Sequence, residues 1–323
     1  MKVRKALFSP VTLRPFLGII TGLFVLFLIG CQDSVTDPLT EPTTDKEAMM
    51  KIAEEDSSLQ SFDEVYNEED LMDYGLGKVQ AEIYPFRVGH KVRLVNRNLN
   101  VEIQGDTAYG KLTHTYEGVL LISASYDSAA TEPDTIIQKP FTAVVTRNLI
   151  FVKVGNSDRP FRNWKLAAIS LPEGGALSPN IEIAKITIFL PNGDTIVVES
   201  PNDYYLSRHH NWWLRWRDIP IITRHESVLV RVELLSAYEE EDFVTITFGR
   251  NRFHGDRVKK RFELVSSTPV FGGYEKVYEQ TFRSHGFPGF FHAVINAFPQ
   301  QVIYDDAAPV ESSMWGIPYF VSL

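Results

Sequence analysis

The sequence predicts an α+β unit, with short N-terminal helices on a curved antiparallel sheet, followed by an all-β sandwich. Three observations predict it. Apolar residues at helical spacing are confined to the stretch from Lys46 to Tyr74. From Val88 onward apolar and polar residues alternate, as half-buried strands require. After Pro172-Glu173-Gly174-Gly175, turn clusters recur about every ten residues with no amphipathic helix between them.

The first thirty residues read as a processing signal and not as part of the fold. Lys2, Arg4, Lys5 and Arg14 form a basic leader without an acidic residue. Phe16 to Ile29 is then an uncharged run of fourteen residues. As a helix it spans about 21 Å, short of a hydrocarbon core of about 30 Å. The run ends in Leu28-Ile29-Gly30-Cys31, which resembles the bacterial lipobox. That resemblance implies cleavage before Cys31 and diacylglycerol on its sulfur, so the membrane is the first expected partner. Two or three acyl chains suffice for stable anchoring. Gln32 is not the aspartate that retains lipoproteins at the inner membrane in enteric-type sorting. The resemblance therefore points to the cell envelope and its outer membrane, with periplasmic and surface faces both open. Cys31 is the only cysteine, so the acylated chain forms no internal disulfide and its domains must stand on apolar cores.

Charge narrows the partners. The chain has 32 basic and 41 acidic residues; cleavage removes four basic ones and leaves 28 against 41. Residues 32–73 hold fourteen acidic groups against Lys46 and Lys51, so the remainder is nearly neutral. No basic block survives, which removes the electrostatic footing for nucleic-acid binding. No EF-hand loop accompanies the acidic stretch, which reads as a solvated tether and helix face.

Four segments follow from this reading: signal 1–30, acidic Pro/Thr-rich tether 31–45, α+β domain 46–174 and β-sandwich 175–323. Asp45 is a candidate cap for a helix from Lys46 to about Leu59, and a second helical stretch covers Glu64 to Tyr74. Strands are predicted at 93–104, 109–123, 143–154 and 164–171, with a turn at Gly105-Asp106-Thr107 and a polar loop at 124–138. Gly110 and Gly118 mark kinks or bulges. Beyond Gly175, strands are predicted at 181–190 and 195–199 around an Asn192-Gly193 hairpin turn, then at 228–235, 243–248, 257–265, 274–282, 290–298, 302–304 and 316–321.

Gly105-Asp106-Thr107-Ala108 and the strand Asn163-Trp164-Lys165-Leu166-Ala167-Ala168-Ile169-Ser170 resemble the nuclear transport factor 2-like or polyketide-cyclase-like cone fold, over residues 46–172. The later strands resemble an immunoglobulin-like sandwich in architecture alone, because the Cys-Trp-Cys core of antibody domains is absent.

Two constellations are candidate sites. Leu112, His114, Tyr116 and Leu120 share one strand face. If that face lines a cone, the resemblance implies His114 as general base and Tyr116 as hydrogen-bond donor, with Asp106 and His90 as further polar groups. The alternative is that Thr113, Thr115 and Glu117 face inward, or that His114 is an ordinary hydrogen-bonded sheet residue. The second constellation is aromatic. Tyr204, Tyr205, Arg208, Trp212, Trp213 and Trp216 lie within thirteen residues that hold three of the five tryptophans. Exposed, they suit a sugar, a peptide or a protein; buried, they fill a core. Metal and cofactor sites are not predicted. His225-Glu226 fails the zinc-protease pattern at Leu229, no G-x-S-x-G, P-loop or dinucleotide fingerprint occurs, and Asp305-Asp306 reads as a solvated turn. The leading expectation is a non-enzymatic module binding protein, peptide or glycan. The alternative is a small-molecule carrier or lyase/isomerase-type enzyme working near His114.

Overall fold

The structure, a computed structural model, describes residues 41–67, 71–73, 76, 81–208, 216–249 and 257–323. Helices α1 (Asp45–Glu55) and α2 (Ser57–Tyr66) precede strands β1 (Met72–Asp73), β2 (Tyr84–Gln104), β3 (Thr107–Ser125) and β4 (Thr135–Lys153). A helical turn α3 (Pro160–Asn163) leads into β5 (Trp164–Ser170) and β6 (Glu173–Gly175). Next come β7 (Ile181–Phe189), β8 (Thr195–Val198), β9 (Tyr205–Ser207), β10 (Ile221–Thr223), β11 (Ser227–Ser236) and β12 (Phe243–Gly249). The remaining strands are β13 (Val258–Arg261), β14 (Glu263–Val270), β15 (Gly273–Arg283), β16 (Gly289–Phe298) and, after the short helix α4 (Gln300–Tyr304), β17 (Ser313–Ser322). The fold is mostly β with few helices and a nearly closed sheet. Among the described residues no helix is long and apolar enough to cross a membrane.

The larger sheet runs β1-β2-β3-β4-β6-β17-β16-β12-β13, and the smaller runs β14-β15-β11-β7-β8. The stretch read as a boundary, Pro172 to Gly175, carries β6, which pairs with β4 on one side and β17 on the other. Pro42 to Leu323 clusters as one compact unit. A Cβ at position 174 would lie 1.9 Å from the Val144 carbonyl oxygen, so only glycine lets β6 slot between its neighbours.

The central strands β12, β16 and β17 are buried on both faces and read as apolar runs. One face, carrying Ile246, Phe291, Ala293, Ile295, Ile317 and Tyr319, packs on Ile188, Val230 and Phe282 of the smaller sheet. The other face, with Val294 and Met314, meets Phe62, Val65 and Tyr66 of α2. That helix packs on β16 and β12 while β2, β3 and β4 curve around it. It presents Ser58, Leu59, Phe62, Val65 and Tyr66 as one stripe at helical spacing. Burying the apolar ones contributes roughly 1.5–3 kcal/mol each.

Helix boundaries differ from expectation. Thr44, not Asp45, caps α1 through a capping box with Glu47. Asp56 ends α1 and caps α2, accepting from Ser58 N at 2.9 Å, so the second helix begins well before Glu64. Val302–Tyr304 lies in α4 and not in a strand; Val302 O accepts from the buried Lys139 Nζ at 2.8 Å and Tyr304 O from Ile83 N at 3.2 Å. The predicted strand 257–265 divides at Phe262 into β13 and β14, which join opposite sheets. Lys276 of β15 in the smaller sheet and Asp242, just before β12 of the larger, form a fully buried ion pair at 2.8 Å. Ser236 Oγ donates to Asp242 Oδ1 at 3.0 Å, as a buried charge pair requires, and Asp242 N donates to the Tyr278 hydroxyl at 2.8 Å.

Candidate functional site

Strand alternation decides which β3 residues meet α2. Leu112, His114, Tyr116 and Leu120 are buried on the concave side, whereas Thr113 and Thr115 are half-buried and Glu117 is exposed. His114 and Tyr116 therefore face α2, and Asp63 on that helix lies between them. His114 Nδ1 is 3.2 Å from Asp63 Oδ1 and 3.1 Å from the Tyr116 hydroxyl. Tyr116 donates to Asp63 Oδ1 at 2.5 Å. Arg97 Nε donates to His114 Nε2 at 3.0 Å, and Arg97 Nη2 lies 3.4 Å from Asp63 Oδ2. Because Nε2 accepts, the ring proton is assigned to Nδ1, which points at the carboxylate.

Burial works to raise the Asp63 pKa. Hydrogen bonds and charge from His114, with help from Tyr116 and Arg97, outweigh it and hold the carboxyl below its ordinary range. Burial and the adjacent Asp63 push the Tyr116 phenol far up, so it stays a neutral donor.

A second buried set lies on the same surface. His292 Nδ1 is 2.9 Å from Ser61 Oγ of α2, and Arg147 Nη2 is 3.3 Å from His292 Nε2. Ser61 donates its own proton to Ser58 O at 3.1 Å, so it accepts from His292 and is not activated as a nucleophile. Burial, then the neighbouring Arg147, holds the His292 pKa well below its ordinary value. Burial also lowers Arg147, to about 10, while Asp63 and Tyr116 pull it back. Its guanidinium sits 5.1 Å from the Phe62 ring centre, and its Nε has no hydrogen-bond partner. His90 closes the row, with Nε2 2.8 Å from Tyr66 O.

Chemically, the assembly fastens α2 to the sheet. Both ring nitrogens of His114 are occupied, and none of the three described clefts has a wall at His114. A substrate reaching its ring nitrogens must first displace Asp63, Tyr116 or Arg97. Asp106 is exposed in the β2–β3 turn, where its carbonyl accepts from Lys153 N at 2.8 Å, remote from His114 along the strand.

The aromatic stretch divides. Trp212 and Trp213 lie outside the described residues. Trp216 is buried, with Nε1 donating to Ser58 Oγ at 2.9 Å, so it cannot offer a ring to a surface ligand. Arg208 lies over that ring at 5.4 Å and pairs with the buried Asp56 carboxylate. Tyr204 donates to Asp218 O at 3.1 Å, and Tyr205 is half-buried in β9. Arg208 and Trp216 thus hold the N-terminus of α2.

Among the described residues, Glu82, Asp305 and Asp306 could hold a cation, with carboxylate oxygens within 4.8 Å of one another. Hydrogen bonds already reach two of them, from Tyr126 to Asp306 Oδ2 and from Ala307 N to Asp305 Oδ1. Sequence reasoning missed Asp63, Arg97, Arg147 and His292. Arg147 and His292 carried a signal, as polar residues set in apolar strands; Asp63 carried none in an acidic helix.

No family model matches this sequence, and no curated protein matches it either.

Proposed function

We propose that this chain is a lipid-anchored envelope protein, fixed by acylated Cys31, that works as a non-enzymatic binding module for a protein, peptide or glycan. The observation that carries it is the filled concave surface. The place where a cone-fold enzyme keeps its pocket holds α2, and His114 spends its hydrogen bonds on Asp63 and Arg97. Long curved strands over α2 support the cone-like reading of the first part, and the two facing sheets support a sandwich of immunoglobulin-like architecture for the second. The lipobox resemblance supports the membrane and its outer-membrane location.

Two measurements test this reading. Labelled palmitate should enter the wild-type chain, and Cys31→Ser should lose the label and leave the membrane fraction. A thermal-shift screen of small organic acids, amines and neutral ligands should find none whose stabilisation vanishes in His114→Gln. A His114-dependent ligand would instead support the carrier or lyase/isomerase alternative.

A further inference from the structure

We propose that the cleft where β4, β6 and β17 of the larger sheet meet β7 and the end of β8 binds an amino sugar, a glycan unit with a free ammonium group beside its hydroxyls; the proposal rests on the binding-module reading and names the ligand of that module. The cleft measures about 450 Å³, within the range of small-molecule sites. The larger sheet contributes Thr146, Glu173, Ser313 and Trp315 to its lining. The smaller contributes Glu182 of β7, and Glu199 comes from just past β8.

Charge sets the sign of the ligand. Three lining residues are carboxylates, Glu173, Glu182 and Glu199, and none is basic. Nearby cations do not pair with them: Lys185 is joined to Glu233 at 2.7 Å, and Lys111 acts on Glu173 through charge alone. Among the described residues none of the three carboxylates is in an ion pair. Burial raises the Glu173 carboxyl above its ordinary range, outweighing the Asn202 hydrogen bond and the Lys111 charge; Asp203 and Glu182 add a smaller push the same way. An ammonium group would favour the ionised form there. Asn202 presets that carboxylate, since its Nδ2 donates to Glu173 and, at 2.9 Å, to Thr146 Oγ1, while its Oδ1 accepts from Ser170 Oγ at 3.3 Å. A preset acceptor loses little freedom on binding.

Charge alone would admit any amine, and two unspent donors narrow the choice. Trp315 is 6% exposed and lines the cleft, and its indole N–H meets no acceptor among the described residues. Ser313, two positions back on the same strand face, is 4% exposed. Its Oγ accepts from Ile183 N at 3.1 Å, and its own proton has no acceptor among the described residues. An ammonium group has no lone pair to offer these donors, whereas a hydroxyl or ring oxygen has. Sugar hydroxyls also donate to carboxylates, so one ligand with an amine beside hydroxyls satisfies both sets. A uronic acid or a phosphorylated sugar would set its charge against three carboxylates and be refused.

The test uses the full mature chain in a polyoxyethylene detergent, which carries no sugar, with a glucosamine trisaccharide as probe and titration calorimetry as readout. Combined Glu182→Gln and Glu199→Gln, both at exposed positions, should weaken binding about tenfold or more. Trp315→Phe keeps a ring and removes the N–H, and should weaken it about tenfold in a chain whose near-UV spectrum remains that of a folded protein. The fully N-acetylated trisaccharide should bind at least about tenfold more weakly, and a galacturonate trisaccharide should not bind. Equal binding of the free and acetylated sugars overturns the proposal. Spermidine binding as tightly as the sugar, untouched by Trp315→Phe, overturns it as well. No binding of the glucosamine probe overturns this site but leaves the binding-module reading standing, whereas a His114-dependent small-molecule ligand removes that reading too.

Discussion

His292 has the hydroxyl of Ser61 on one ring nitrogen and the guanidinium of Arg147 on the other, with the rings of Phe62 and Phe290 packed around it. A second ring proton would meet a like charge in a buried place. Its folded pKa therefore lies below the roughly 6.5 of an unfolded histidine. Above that pH both states are neutral at this ring and stability is flat. Below it the unfolded chain takes up a proton that the folded chain refuses, and stability falls by up to about 1.4 kcal/mol per pH unit. Asp63 acts lower on the scale. Its folded pKa is depressed, so its contribution is intact above about 3.9 and is lost as pH falls through the folded value. Denaturant unfolding between neutral pH and pH about 5 should show a falling stability that His292→Gln flattens; parallel slopes would rule out this ring as the source. Asp63→Asn should cost about 1.5–3 kcal/mol at neutral pH, because Arg97, His114 and Tyr116 lose a charged acceptor. An unchanged urea midpoint would show that the cluster does not fasten α2. His114 and Tyr116 were legible in the sequence because alternation puts them on one face. Their partner Asp63 was not, because a contact across some fifty positions leaves no local pattern.

Turns, alternation and helical spacing made most elements legible, and the misplacements have local causes. The break between α1 and α2 is set by Asp56, whose carboxylate caps the next helix and meets Arg208. Nothing within α1 announces that distant partner. Val302–Tyr304 has strand-like composition, yet Lys139 stabilises the C-terminal end of a helix there. Two glycines separate backbone from side-chain constraint. At Gly174 an added Cβ meets backbone, at 1.9 Å from Val144 O; at Gly118 it meets the Phe141 ring, at 2.4 Å. A ring can rotate and a sheet backbone cannot, so Gly174→Ala should destabilise more than Gly118→Ala. The first should cost at least about 3 kcal/mol and the second about 1–3 kcal/mol, the usual range for overpacking. Adding Phe141→Ala to Gly118→Ala should cost less than the two single changes together, since both act on one contact. Strict additivity in the unfolding midpoints would show that the ring already lies clear of position 118.

Across the whole molecule, the last strand in sequence occupies the middle of the larger sheet. β17 pairs with β16 along its length, with β6 at Trp315 and Met314, and in parallel with β10 at Phe320 to Ser322. Its alternate residues serve two cores: Ile317 and Tyr319 face the smaller sheet, while Met314 lies with Phe62 and Tyr66 against α2. A Cβ at Gly316 would strike Phe62 and Pro172, so even the gap at that position is used. This arrangement joins the two expected halves through a strand at the end of the second, whose Met314 pairs back with Gly174 of β6. Closing such long loops before any contact is gained makes folding slow. Both halves should unfold in one transition, with near-UV circular dichroism and amide exchange in β3 and β11 reporting the same midpoint. A stop after Glu311 would leave β16 and β6 without their shared neighbour and expose both cores. That chain should lose native exchange protection in β3 as well as in β11. If β3 instead kept full protection with β17 gone, the part built on α2 would be a domain that stands alone.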